Sequence, residues 1–130
     1  MDFVSQTLVA RGWAPTDEWY NDAQEDWAPA FVDVPSFDEW LSEHPEYGAV
    51  RLPMSARDQL KIGDIVMMDW DGDGSLDHAQ IVSGILHIDG MTHILMVGHD
   101  IDTDYRDLDA SLLTEGMPGA TAYFWSLPAA

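Results

Sequence analysis

The sequence of 130 residues contains no cysteine. The chain as printed therefore has no disulfide, no thiol nucleophile and no thiolate ligand for a metal ion. Because both secreted and cytosolic proteins can lack cysteine, this absence leaves the redox compartment and the localisation open. It does exclude reactions that depend on a cysteine supplied by these 130 residues.

Basic residues are scarce, with five Lys and Arg against 24 Asp and Glu, for a formal net charge of -19. This charge repels phosphate backbones and anionic membrane surfaces, so we expect neither nucleic acid nor membrane as a partner. A highly soluble surface is the simplest interpretation, and attraction of a basic protein partner is the alternative. No apolar run approaches the roughly 20 residues of a membrane span, and residues 1–20 show no signal-peptide pattern.

A hydrophobic content of 46% with six Trp is sufficient for one core, so we expect a single domain over residues 1–130. Apolar spacing predicts a helix over residues 3–11, ended by Gly12. A capping-box pattern that begins at Ser36 predicts a second helix over residues 36–43. Between them, residues 13–35 carry several Trp without clean periodicity, and core packing of these rings is favoured over a cleft lining.

The second half of the chain has the patterns of strands. β-branched and apolar runs predict strands over 60–68, 78–88, 92–98 and 120–127, with a short helix over 108–113. Asp89-Gly90 is a strong hairpin signal between the second and third strands. Helices followed by an antiparallel meander predict an α+β fold, with a helical layer packed on one face of a curled antiparallel sheet.

His78 opens a predicted strand directly after a tight loop, a position that suits a general base at the rim of a sheet. A strand-start histidine that only bonds its surroundings is the alternative. If the hairpin closes symmetrically about Asp89-Gly90, His99 is a diagonal neighbour of His78 at roughly 7–8 Å. A one-residue change of loop length would put His99 on the opposite face and would bring Asp100 or Asp102 beside His78 instead.

Five segments in order carry a family resemblance: Asp2-Phe3-Val4-Ser5-Gln6, Gly63-Asp64-Ile65-Val66, Asp69-Trp70-Asp71-Gly72-Asp73-Gly74, Asp77-His78-Ala79-Gln80-Ile81-Val82 and Val97-Gly98-His99. Together they resemble an amidase domain family related to the NlpC/P60 and CHAP peptidases. The resemblance implies a papain-like fold and amide hydrolysis through a cysteine thioester, with peptide or peptidoglycan amides as substrates in intact relatives.

The same resemblance assigns His78 as the catalytic base and His99 as the residue that orients it. The family cysteine would fall one position before Met1, and an upstream helix would also be missing. We therefore expect a truncated, inactive domain whose Met1 is an internal methionine taken as the start. Ser5 lies a full turn inside the first helix and lacks a nucleophile elbow, so it is a poor substitute. The alternative is a non-catalytic cell-wall or calcium-stabilised binding module.

The loop over residues 69–77 resembles a calcium-binding loop of the EF-hand type. Asp69, Asp71, Asp73, Ser75 and Asp77 stand at positions 1, 3, 5, 7 and 9 of that motif, with Gly74 at its turn. Position 12 is Gln80 instead of glutamate, and the flanks are predicted strands, so a true EF-hand is not expected. The alternatives are a structural Ca²⁺ and an acidic turn without an ion. No cofactor is required for the proposed reaction.

Overall fold

The computed structural model describes residues 1–21, 27–97, 106–114 and 119–128. Its six strands are β1 (Val50–Pro53), β2 (Ile65–Asp69), β3 (His78–Ile88), β4 (Met91–Val97), β5 (Arg106–Asp107) and β6 (Thr121–Ser126). They form one antiparallel sheet in the order β1-β6-β2-β3-β4-β5. The sheet is open, with β1 and β5 at its edges.

The helices are α1 (Asp2–Arg11), α2 (Pro29–Val32), α3 (Val34–Glu43) and α4 (Leu108–Thr114). Two 3₁₀ helices, Pro45–Tyr47 and Met54–Gln59, lie before and after β1. α1 ends at Gly12, whose φ of 117° is readily adopted only without a Cβ. α3 begins at Val34, two residues before the predicted Ser36. Its N-cap is Asp33, whose carboxylate accepts the Ser36 N–H at 3.1 Å. Pro35 fits the first turn, because the N–H groups of that turn have no partner within the helix.

Side chains alternate between the two faces of each strand, so the sheet has two hydrophobic cores, one on each face. On the helix face, Ile65, Met67, Ala79 and Ile81 pack against α1, α2 and α3. On the opposite face, called the α4 face, a second cluster contains Leu108 of α4 together with the strand residues Val66, Met68, Val82 and Phe124. The predicted single helical layer is thus incomplete, because α4 packs on the other face.

The β3–β4 hairpin has the predicted Asp89-Gly90 turn, with Asp89 at φ 52° and Gly90 at φ 77°. From Ile88↔Met91 to Gly84↔Leu95 the pairing is the symmetric one that was predicted. A bulge at Ser83 then shifts the register by one residue, so that Val82 pairs with Met96 and Ile81 with Val97.

The α+β class is confirmed, and β3 matches its predicted range. The predicted simple meander is wrong in one respect, because β6 inserts between β1 and β2. The strand predicted over 60–68 begins only at Ile65, after a turn in which the Asp64 carboxylate accepts the Lys61 N–H. Within the described ranges, no helix is long and apolar enough to cross a membrane.

Candidate functional site

The candidate site lies at the end of the sheet where β2 finishes and β3 begins. Residues 70–77 connect the two strands, and His78 is the first residue of β3, paired with Met68. The loop is closed by hydrogen bonds at its base: the Asp77 N–H donates to the Met68 carbonyl at 2.8 Å and the Trp70 N–H to the Asp77 carboxylate at 2.9 Å. His78 is therefore held at a rim, half-buried, where a polar side chain can meet a ligand.

Two residues fix the His78 imidazole. The Trp70 ring stacks on the imidazole, with ring centroids 5.9 Å apart. The Nε2 atom of His78 lies 3.0 Å from the side-chain nitrogen of Gln80, which is fully buried. If the Gln80 amide nitrogen is the donor, the Nε2 atom of His78 accepts and the ring proton is on Nδ1. If the amide is rotated, the Nε2–H group of His78 donates to the Gln80 oxygen and Nδ1 is the basic atom. Either orientation of Gln80 thus selects one tautomer of His78.

Sequence reasoning missed the contacts of His78 with Trp70 and Gln80. In the sequence, Gln80 stands out as the departure from glutamate at position 12 of the acidic loop, and both residues belong to the family segments. The alternation of side chains along a strand places residues i and i+2 on one face, so the pair His78 and Gln80 was available from spacing alone. The stacking of Trp70 depends on the return of the chain through the acidic loop and has no local signal.

We infer that the N-terminus of α1 lies toward the same end of the sheet as His78. Arg11, at the C-terminal end of α1, donates to the Gly63 carbonyl at 3.3 Å, which places that end of the helix beside the start of β2. Ten helical residues span about 15 Å, close to the length of β2. Met1 and Leu76 both pack against the helix-face core.

Strand alternation, however, assigns His78 and α1 to different faces. Ala79 and Ile81 contact the core that includes α1, whereas His78 lies on the α4 face with Gln80. A group at the start of α1 reaches His78 only around the end of β3. Ser5 offers no alternative nucleophile, because its buried hydroxyl donates to the Phe31 carbonyl at 2.8 Å and accepts from the Trp19 indole at 3.2 Å.

The partner predicted for His78 lies outside the described residues, since His99, Asp100 and Asp102 all fall within residues 98–105. The bulge at Ser83 is nevertheless relevant to it. The prediction of His99 as the diagonal neighbour assumed an unbroken hairpin register, and the register of β3 and β4 shifts by one residue before it reaches this end.

The acidic loop gathers the four predicted aspartates. One carboxylate oxygen from each of Asp69, Asp71, Asp73 and Asp77 lies within 4.8 Å of the others. Asp69 accepts the N–H groups of Gly72 and Gly74 at 3.0 and 2.8 Å, so its carboxylate anchors the turn. The predicted fifth ligand, Ser75, follows in the same turn, and its N–H donates to Asp73 at 2.8 Å.

Protonation within this loop is uneven. Burial acts to raise the pKa of Asp69, but hydrogen bonds from the Gly74 amide and from Asp71 outweigh it, and the pKa is lowered. The pKa of Asp71 is raised by burial and by its hydrogen bond with Asp73. Neighbouring carboxylates repel one another when ionised, and a bound cation stabilises their fully ionised form.

A cavity of about 470 Å³ lies on the helix face beside the loop. Its lining includes Asp38, Arg51, Asp69, Ser75 and Tyr123. The Arg51 guanidinium lies 3.2 Å from the Asp38 carboxylate and 4.6 Å from the centre of the Tyr123 ring. Burial, with a further contribution from Asp38, raises the pKa of Tyr123 above its ordinary value. The site therefore offers a neutral phenol, a cation and carboxylates around one cavity.

The tryptophans divide between the core and the surface. Trp19 and Trp40 are buried and stacked with centroids 5.5 Å apart, as the preference for core packing predicted. Trp13 stacks on Tyr47 at 4.8 Å, whereas Trp27 is half-exposed.

The fold and the site define an α+β domain with a positioned histidine at the start of a central strand. A comparison with family models gives a match over residues 1–125 to the family described as "Putative amidase domain". The chain belongs to this family, whose description is that of an amide hydrolase. No curated protein and no solved structure matches the chain.

Proposed function

We propose that the chain carries the base half of a papain-like, NlpC/P60-like amidase site, with His78 as the general base and a cysteine thiol as the nucleophile. The family match over residues 1–125 carries this proposal. The setting of His78 supports it, since the Trp70 ring stacks on the imidazole and the Gln80 amide lies within hydrogen-bond distance of its Nε2 atom. Positioned imidazoles of this kind serve as bases in nucleophilic catalysis.

The reaction has two steps. The imidazole of His78 takes the proton of the thiol, the thiolate attacks the amide carbonyl, and the protonated imidazole returns the proton to the leaving amine. Water then hydrolyses the thioester with His78 again as base. His99 is assigned the role of orienting His78, as the family resemblance implies.

The nucleophile belongs at the start of α1. Free N–H groups and the positive end of the helix dipole stabilise a thiolate there, and a nearby imidazole completes the ion pair. The printed sequence has no cysteine, so these 130 residues alone are expected to be inactive. A cysteine placed immediately before Met1 would lie toward the end of the sheet where β3 begins, and its thiol would approach His78 around the strand end.

The substrate is proposed to be a peptide amide, including that of peptidoglycan stems. The cavity beside the acidic loop supports this class, because Asp38, Arg51 and the Tyr123 hydroxyl supply donors and acceptors that match peptide groups. Its volume of about 470 Å³ is in the range of small-molecule sites.

The test is a variant with a single cysteine placed immediately before Met1, assayed for alkylation by iodoacetamide as a function of pH. An ordinary thiol has a pKa of about 8.5; we expect a value at least about one unit lower here, rising again when His78→Ala is added. Ala14→Cys, at an exposed position in the segment after α1, is the control and should keep an ordinary value. A thiol before Met1 that titrates like Ala14→Cys would refute the proposed pairing with His78.

A calcium-stabilised, non-catalytic binding module is the second candidate, and the convergence of four carboxylates in the acidic loop favours it. Oxygen donors in a flexible loop are typical of Ca²⁺ sites, and an ion here would rigidify the connection that leads into His78. We expect calorimetry to show one Ca²⁺ per chain, lost in Asp71→Asn with Asp73→Asn. Absence of heat at millimolar Ca²⁺ would end the calcium proposal, and retention on peptidoglycan without hydrolysis would favour the binding module.

A further inference from the structure

A second group of metal-binding side chains lies where β4, β5 and α4 meet. His93 of β4, Asp107 of β5 and Asp109 of α4 each offer one donor atom, and the three atoms lie within 4.8 Å of one another. The group includes an imidazole nitrogen and is separate in sequence from the acidic loop. Neither the amidase chemistry nor the calcium loop uses any of the three residues.

The spacing of the donors suits a small ion. His93 Nδ1 and Asp107 Oδ1 are 3.3 Å apart. Metal bonds of about 2.0–2.1 Å at tetrahedral angles separate neighbouring donors by about 3.3 Å. An ordinary His–Asp ion pair has a similar separation, so the argument also needs the third donor and the groups behind it.

Both carboxylates are held from behind by the protein. Arg57 donates to the two oxygens of Asp109 at 2.7 and 3.0 Å, and the Asp107 Oδ2 atom accepts the Ala110 N–H at 2.8 Å. Outer partners of this kind orient metal ligands and are a regular part of metal sites.

The local charge also suits a divalent cation. Asp107, Asp109 and the neighbouring Asp58 oppose the single positive charge of Arg57, and Asp58 is itself held by the Thr92 hydroxyl. A cavity of about 430 Å³ borders His93, Asp109 and Asp58. Water from this cavity can fill the coordination positions that the three side chains leave open.

We propose that His93, Asp107 and Asp109 form a binding site for a divalent first-row transition metal ion such as Zn²⁺. One imidazole with two carboxylates favours such an ion over Ca²⁺, which prefers oxygen donors only. The ion would connect β4 with β5 and α4. In the sheet, β3 separates these strands from β2. The inference is independent of the amidase proposal, because it requires no catalytic activity.

The experiment is calorimetric titration of the full chain with Zn²⁺, in excess Ca²⁺ so that the acidic loop does not compete. We expect one Zn²⁺ per chain, with affinity at least about tenfold lower in His93→Ala and in Asp107→Asn. Asparagine retains an oxygen that can accept the Ala110 N–H, so this variant should keep α4. His87→Ala removes another imidazole of the same hairpin and should bind Zn²⁺ like the unaltered chain.

Co²⁺ provides a second measurement. Visible absorption bands of protein-bound Co²⁺ should be present in the unaltered chain and in His87→Ala, and lost in His93→Ala. Far-UV circular dichroism of each metal-free variant shows whether its fold is retained. No Zn²⁺ binding at about 1 mM, unchanged affinity in a folded His93→Ala, or an equal loss in His87→Ala would overturn the proposed site.

Discussion

Gly72 and Gly74 of the acidic loop allow a direct test of how this loop is joined to the sheet. Both have positive φ, 70° and 86°, but their surroundings differ. A Cβ at Gly72 would lie 2.9 Å from the Gly119 carbonyl oxygen, next to the start of β6, whereas a Cβ at Gly74 would meet no atom within 4 Å. Both alanine variants share the backbone strain, and only Gly72→Ala adds a clash with backbone.

The magnitudes follow from these two terms. Left-handed backbone costs a residue with a Cβ about 1–2 kcal/mol, so Gly74→Ala should lose about that much stability. Overpacking adds about 1–3 kcal/mol, so Gly72→Ala should lose about 2–5 kcal/mol. With a urea m-value of about 2 kcal/mol/M, the variants should differ in unfolding midpoint by about 0.5–1.5 M.

Urea unfolding followed by tryptophan fluorescence, with a chelator present, measures this difference without a contribution from bound ions. Equal midpoints for the two variants would refute the reasoning, because they would mean that the approach of the loop to Gly119 places no steric demand on residue 72. A change of m-value in one variant alone would instead indicate an altered unfolded or native state.

Three other predictions concern single side chains. In the variant with a cysteine before Met1, Gln80→Leu should slow alkylation at neutral pH while the fold is retained, since the imidazole loses the group that selects its tautomer; unchanged rates would contradict this role. Asp109→Asn should lower the free energy of unfolding by about 0.5–1 kcal/mol at pH 7 in the presence of EDTA, because the partly exposed ion pair with Arg57 is lost. The pKa of Asp109 is lowered in the folded state, so this difference should be present above about pH 4 and disappear as the pH falls through the folded pKa, in urea titrations at several pH values. A hydrogen bond to the Trp40 carbonyl, with Glu46 and Glu18 nearby, raises the pKa of His44. The stabilisation that protonated His44 contributes to the fold is therefore complete below about pH 6.5 and is lost as the pH rises through the folded-state pKa. Thermal unfolding of His44→Gln should lack this dependence on pH.

Elements with a clear local pattern were predicted from the sequence. β3 and the Asp89-Gly90 turn combine β-branched residues with a turn that few other residues can form, and α1 has a glycine at its end. β5, with two residues, is too short to show a period. β1 has four residues and becomes a strand only by pairing with distant β6.

The site was predictable to the same extent. His78 and the acidic residues were found because their roles depend on position within one short segment. The bulge at Ser83 was not predicted, because a bulge reflects the fit of two strands, although Gly84 inside β3 is a local signal for one. The cavity with Asp38, Arg51 and Tyr123 was also missed, since its residues come from α3, β1 and β6, which meet only in the folded chain.

The position of β6 between β1 and β2 has a consequence for synthesis of the protein. A chain growing from the ribosome completes β1 to β5 first, and until residues 121–126 emerge, the facing edges of β1 and β2 both lack their partner. β2 is fully buried in the finished domain, so this interval exposes a short apolar strand with an open edge. Nascent chains that pause before β6 are therefore expected to need a chaperone, or to aggregate, more than their net charge of -19 suggests.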